Sequence, residues 1–319
     1  MKLVRFAALA FSALALPAAP GAFAQDYPTR PIELLVAFPA GGGSDALARA
    51  FADSASRVLP QPMIVINKPG AAGTIGFAEG ANAKPDGYKI TMVSPELLIT
   101  PYLGIGKVNY EAFKPIGRIN ADPCTVAVKA DAKWKSIEEF IAHLKANPGR
   151  ASVANSGAGS INHVCAAALE DKTGTKVNHI PYLGAGPTIN ALMGDQVDAV
   201  VISPAEVSAF VKSGKMRLLA VMAKDRSKDF PEIPTFRERG IDLVANTWRG
   251  LVVPKATPDA VVARLGELLV KVNADPAYRS VFERQTLGRV TENGEQFASY
   301  LKQEDDLYKR IVPLLNMSK

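Results

Sequence analysis

Short apolar runs alternate with glycine-rich loops and helix-compatible stretches, and that order admits few folds. Ile32 to Phe38 reads as a strand and Pro39-Ala40-Gly41-Gly42-Gly43 as a loop. Ser44 is then placed to cap a helix to about Val58, with Leu47, Phe51 and Val58 on its apolar face. Met63 to Asn67 is a second strand running into Pro69-Gly70-Ala71-Ala72-Gly73, and Lys89 to Val93 is a third. The order restarts near residue 125. A strand at Thr125 to Val128 precedes a capping box, Ser136-Ile137-Glu138-Glu139, that opens a helix to Asn147. Ala151 to Ala154, Val177 to Ile180 and Asp198 to Ile202 are further strands, and Leu218 to Met222 closes the block. The loop Asn155 to Ser160 opens a helix over Ile161 to Lys172, and Pro187 suits the first residue of the next helix. Strands alternating with helices predict an α/β fold with parallel sheets covered on their faces.

Two such blocks and a helical tail predict two lobes with a cleft between them: residues 25–123 in the first lobe, 124–222 in the second, and 223–319 returning to the first with C-terminal helices. Residues 1–24 precede them as an export signal. Lys2 and Arg5 form a positive start, Phe6 to Leu16 an apolar run too short to span a bilayer, and Ala22-Phe23-Ala24 a small-x-small site that puts cleavage between Ala24 and Gln25. The expected compartment is the periplasm. The net charge of +6 is scattered among acids, with no basic stripe interleaved with aromatics, so nucleic-acid binding is not expected. In an oxidising compartment Cys124 and Cys165 either form one disulfide or remain two buried thiols.

The two glycine-rich loops carry the chemistry. In α/β sheets, ligands sit beyond the carboxyl ends of the strands, where such loops meet helix N-termini. Around Phe38, Ala40, Gly41, Gly42, Gly43 and Asp45, bare backbone N–H groups and the following helix dipole form a nest for a carboxylate. The second loop repeats the device with Ser156, Gly157, Gly159 and Ser160, and His163 follows one turn later. Tyr182 and Trp248 face the cleft or sit in the core, and Ser203 ends a strand. Catalytic signatures do not occur: no Gly-x-Ser-x-Gly, Walker, Cys-x-x-Cys or His-Glu-x-x-His pattern is present, and His143, His163 and His179 lack metal-ligand spacing. An enzyme, a metal and a cofactor are therefore not expected.

Several segments carry a specific resemblance: Tyr27-Pro28-Thr29-Arg30-Pro31, Phe38 to Asp45 with Ala48-Arg49, Asn67-Lys68-Pro69-Gly70-Ala71-Ala72-Gly73, and Pro85-Asp86-Gly87-Tyr88. They continue in order with Ser156 to Ser160 plus His163, Pro181-Tyr182-Leu183-Gly184, Asp195 to Asp198, Pro231 to Thr235, and Trp248-Arg249-Gly250. Together they resemble the substrate-binding proteins of tripartite tricarboxylate transporters (the Bug family of TctC-like extracytoplasmic solute receptors). The resemblance implies a two-lobed type II periplasmic binding protein fold that closes on a small organic acid. The implied partners are transporter membrane subunits or a membrane sensor, met transiently by a monomer. It carries ligand binding over to both loops, to His163 and Tyr182, and to Ser94, where the family has a small hydroxyl residue. Leu183 stands where the family often has lysine, Cys124 departs from the pattern, and Arg249 replaces a commoner neutral or aromatic residue, where it either lies at the surface, the favoured reading, or reaches a second carboxylate of the ligand.

Overall fold

The computed structural model describes residues 27–315, so the proposed signal segment and its Ala24/Gln25 cleavage site lie outside the described residues. The first block folds as β1 (Ile32–Val36), α1 (Gly43–Ser56), β2 (Met63–Asn67), α2 (Thr74–Ala81), β3 (Lys89–Val93), α3 (Glu96–Tyr102) and β4 (Phe113–Pro123). The second comprises β5 (Thr125–Lys129), α4 (Ile137–Ala146), β6 (Ser152–Asn155), α5 (Ile161–Thr173), β7 (Asn178–Pro181), α6 (Ala185–Met193), β8 (Ala199–Ile202), α7 (Pro204–Lys212) and β9 (Met216–Val221). The chain then returns as β10 (Asn246–Pro254), α8 (Asp259–Ala274), α9 (Pro276–Arg284), β11 (Arg289–Asn293) and α10 (Gly294–Ile311).

Two sheets result. One has the order β2-β1-β3-β10-β4-β11, the other β7-β6-β8-β5-β9. β1 runs parallel to β2 and β3, and β6 parallel to β7 and β8, while β10 lies antiparallel between β3 and β4. Helices cover the inner strands, so β3 buries Ile90 through Val93 and β8 buries all four residues. The edge strand β2 alternates instead, with Met63 buried and Ile64 exposed.

The chain crosses between sheets twice. β4 passes into β5 through Cys124, and β9 passes into β10 through residues 222–245. Cys124 N donates to Ala245 O at 2.9 Å, and Met222 N donates to Cys124 O at 2.7 Å, so the two crossings are laced together. Cys124 is disulfide-bonded to Cys165 of α5, with Cα atoms 6.4 Å apart, which resolves the alternative left open by the sequence. α10 packs along the crossing and buries Phe297, Leu301 and Tyr308. A Cβ on Gly250 would lie 2.2 Å from the Phe297 ring, so only glycine lets β10 and α10 approach this closely.

Several local expectations change. α1 begins at Gly43, with Gly42 as an extended N-cap and no side-chain cap, and ends at Ser56 rather than Val58. The Ser44 hydroxyl accepts a hydrogen bond from Arg249 Nε instead of capping. α6 starts at Ala185, placing Pro187 third, where its missing N–H still falls among the helix's unsatisfied donors. β4 and β10 did not read as strands: Pro115, Gly117 and Pro123 interrupt the alternation of β4, and its register with β10 shifts twice. Their pairing is a tertiary fact, made by segments more than 120 residues apart in sequence.

Candidate functional site

Both glycine loops follow parallel strands of their sheets: Phe38 to Gly42 links β1 to α1, and Ser156 to Ser160 links β6 to α5. Gly41, Gly42 and Gly43 are exposed. Gly41 has φ +84°, a left-handed conformation that favours glycine. Its N–H is not free, because Asp45 Oδ2 accepts it at 2.9 Å. Asp45 also accepts Arg49 Nε at 2.9 Å and Asn67 Nδ2 at 3.0 Å, and Asn67 Nδ2 donates to Phe38 O at 3.1 Å. The Arg49 hydrogen bond is the largest of the influences holding the Asp45 carboxyl below its usual pKa. Asp45 is thus buried and fixes the loop from behind, a different part from the ligand contact expected of it. The N–H groups of Gly42, Gly43 and Ser44 have no backbone acceptor among the described residues, while Ala46 N begins the helical ladder by donating to Gly42 O. These donors are left unpaired at the start of α1.

The second loop is held mostly by itself. Asn155 Oδ1 accepts Gly157 N at 3.1 Å, and Gly159 N donates to His163 Nδ1 at 3.1 Å. Gly157 (φ +146°) and Gly159 (φ +72°) adopt left-handed backbone, so these glycines shape the turn and their N–H groups serve it. Ser160 caps α5 by accepting His163 N at 3.3 Å, and Ser156 Oγ accepts Asn162 Nδ2 at 2.8 Å. His163 is buried, and its ring meets His179 edge-on at 4.8 Å. Burial first, then the neighbouring His179, lowers its pKa to about 4. It is a neutral brace for Gly159. The Nδ2 of Asn155 is buried and has no hydrogen-bond partner among the described residues, an unmet donor at the root of this loop.

The remaining candidates divide. Tyr182 is half-buried beside the second loop, with its N–H on Asn155 O at 3.0 Å and its hydroxyl 3.5 Å from Gln196 Oε1. Ser94 is buried after β3 and donates to Glu96 Oε2 at 2.6 Å. Ser203 forms a capping box with Glu206 at the start of α7. Trp248 corrects an expectation. It is 0% exposed, its ring packs on Phe297 and Tyr300, and its Nε1 donates to the buried Glu304 at 3.3 Å, so it is a core residue outside the cleft. The cause is strand alternation: on β10, Trp248 points to the α10 side and its neighbour Arg249 to the other.

Arg249 departs from the surface reading in the opposite sense. Its side chain is only 15% exposed. Nε donates to Ser44 Oγ at 3.0 Å, and Nη1 donates to Asn120 Oδ1 at 2.5 Å and Asp122 Oδ2 at 3.3 Å. Asp122 is buried, which raises its pKa, and it also accepts Gly288 N at 2.6 Å. Glu206, on the facing lobe, lies near enough for its charge to act on both Arg249 and Asp122. Nothing in local sequence marks this cluster, because its members come from β4, β10, α7 and the loop before β11. Beside the second loop, Leu183 stands 96% exposed. Among the described residues no group of His, Cys, Asp or Glu has the arrangement of a metal site.

Comparison with known proteins agrees with this architecture. The model of the tripartite tricarboxylate transporter family receptor matches residues 47–317. The chain is 34% identical over 316 residues to a protein encoded in the gbd 5' region of Cupriavidus necator, covering 98% of this chain and 96% of that one. A TctC solute-binding protein from Polaromonas superposes with a TM-score of 0.82 at 44% identity, over 90% of this chain and 99% of its own. The periplasmic binding protein BugD does so with a TM-score of 0.76 at 33% identity, over 91% and 98%. With its two covered sheets, paired crossings and two glycine loops, this chain belongs to the receptor family of the tripartite tricarboxylate transporters.

Proposed function

We propose that the mature chain works outside the cytoplasmic membrane, captures a small carboxylate-bearing molecule between its lobes, and presents it to the membrane subunits of a tripartite tricarboxylate-type transporter. The observation that carries this reading is the first glycine loop, where exposed N–H groups of Gly42, Gly43 and Ser44 stand unpaired at the start of the 14-residue α1. Donors fixed in this way replace the water a carboxylate loses, and the helix dipole favours its charge. The unmet Asn155 amide supports a polar counterpart at the second loop. The two crossings between sheets supply the hinge on which the lobes, residues 25–123 with 223–319 and residues 124–222, close.

A thermal-shift screen of residues 25–319 against mono-, di- and tricarboxylates and aromatic acids tests this. A ligand at 100 times its Kd adds about 2.7 kcal/mol of stability. Gly42→Val is the companion variant. Gly42 has ordinary extended backbone, and a Cβ there meets only Pro39 O at 3.7 Å, so the fold tolerates the change while the side chain covers the donors. The expected result is a selective shift in the wild type that Gly42→Val loses at unchanged unliganded Tm. Equal shifts in both would sink the loop as anchor.

A further inference from the structure

We infer that Arg249 determines ligand specificity by offering a guanidinium edge beside the first glycine loop, selecting acids with a second negative charge, dicarboxylates, over monocarboxylates. This rests on the carboxylate-capture reading above and deepens it. The argument is an inventory of donors. A guanidinium carries five N–H donors in a rigid fork. Nε is engaged with Ser44 and Nη1 with Asn120 and Asp122, whereas Nη2 makes no hydrogen bond to the described residues. Nη2 would lie 3.1 Å from a Cβ on Gly43, so it rests against the same loop that presents the free N–H groups, and glycine at 43 leaves room for it.

The neighbouring acids do not use this edge. Asp122 accepts Gly288 N, Asn120 Nδ2 and Arg249 Nη1, and Glu206 accepts Ser203 N at 3.1 Å within its own capping box. The other cation near the first loop, Arg49, is exposed but is already committed, with Nε on Asp45 and Nη2 on Asn67 Oδ1. A single carboxylate is satisfied by the backbone donors. A monocarboxylate then sets an apolar end against Nη2 when the lobes close, leaving charged N–H groups desolvated and unpaired. A dicarboxylate meets them with its second carboxylate in a charge-assisted hydrogen bond.

The test is isothermal titration of chain-matched pairs: succinate with butyrate, glutarate with valerate, and adipate with hexanoate. Wild type, Arg249→Gln and Arg249→Lys are compared, each checked for an unchanged circular-dichroism spectrum. The expected result is that wild type prefers the dicarboxylate of at least one pair. Arg249→Gln should weaken that dicarboxylate about 10- to 100-fold and leave its monocarboxylate partner within about threefold, with Arg249→Lys intermediate. Equal weakening of both members overturns the inference and makes Arg249 part of the common anchor, with carboxylate capture intact. Wild type binding both members of every pair alike overturns it too, even if Arg249→Gln fails to fold. A folded wild type that binds neither member of any pair refutes the dicarboxylate assignment, and the wider acid screen then decides carboxylate capture.

Discussion

Reducing the disulfide should lower the stability of the whole chain by an amount that follows from its place in the fold. Cys124 lies on the first crossing between sheets and Cys165 in the middle of α5, with a sequence separation of 41. Closing a loop of that length removes entropy from the unfolded chain, and the chain-entropy relation gives about 4 kcal/mol at 25 °C. With an unfolding entropy of about 2.1 cal/mol/K per residue, a chain of 319 residues converts this into a Tm change of about 6 °C. Both cysteines are fully buried, so reductant must act through the unfolded state. The assay is equilibrium urea unfolding with and without reductant, which keeps both sulfur atoms in place and spares the packing. Coincident curves would refute the unfolded-chain argument. Reaction of two thiols with a thiol reagent in unreduced, urea-unfolded protein would refute the bond itself.

Two further predictions concern the loops. His163 is held neutral, so the unfolded chain takes up its proton first; stability is complete above about pH 6.5 and declines as pH falls towards about 4, by about 3 kcal/mol at most. Urea midpoints of wild type and His163→Gln against pH isolate this from the buried carboxylates, and parallel profiles would refute it. Asp45→Ala removes the acceptor that fixes Gly41 N, Asn67 and Arg49. It should cost about 1–3 kcal/mol of stability and weaken ligand binding about tenfold or more, and full affinity in titration would show that the loop needs no brace.

The sequence by itself determined the class of fold and the two loops. Alternating apolar runs and glycine turns are local signals: a strand such as Ala199–Ile202 is buried on both faces and therefore apolar throughout, and Gly41, Gly157 and Gly159 stand where the backbone turns left-handed. The position of the unpaired donors at the first loop was legible for the same reason, since a helix beginning within a run of glycines leaves its first N–H groups without intrahelical partners wherever the chain goes. Tertiary structure decided how each loop residue is used. Asp45, His163 and the N–H of Gly159 turn inward as braces because their partners, Asn67 among them, are fixed only by folding. It decided the crossing strands as well, whose prolines and glycines hide their alternation until β4 and β10 pair. That pairing settles Trp248 and Arg249 together: alternate residues on a strand face opposite ways, so once α10 covers one side, the tryptophan is core and the arginine turns to the loop.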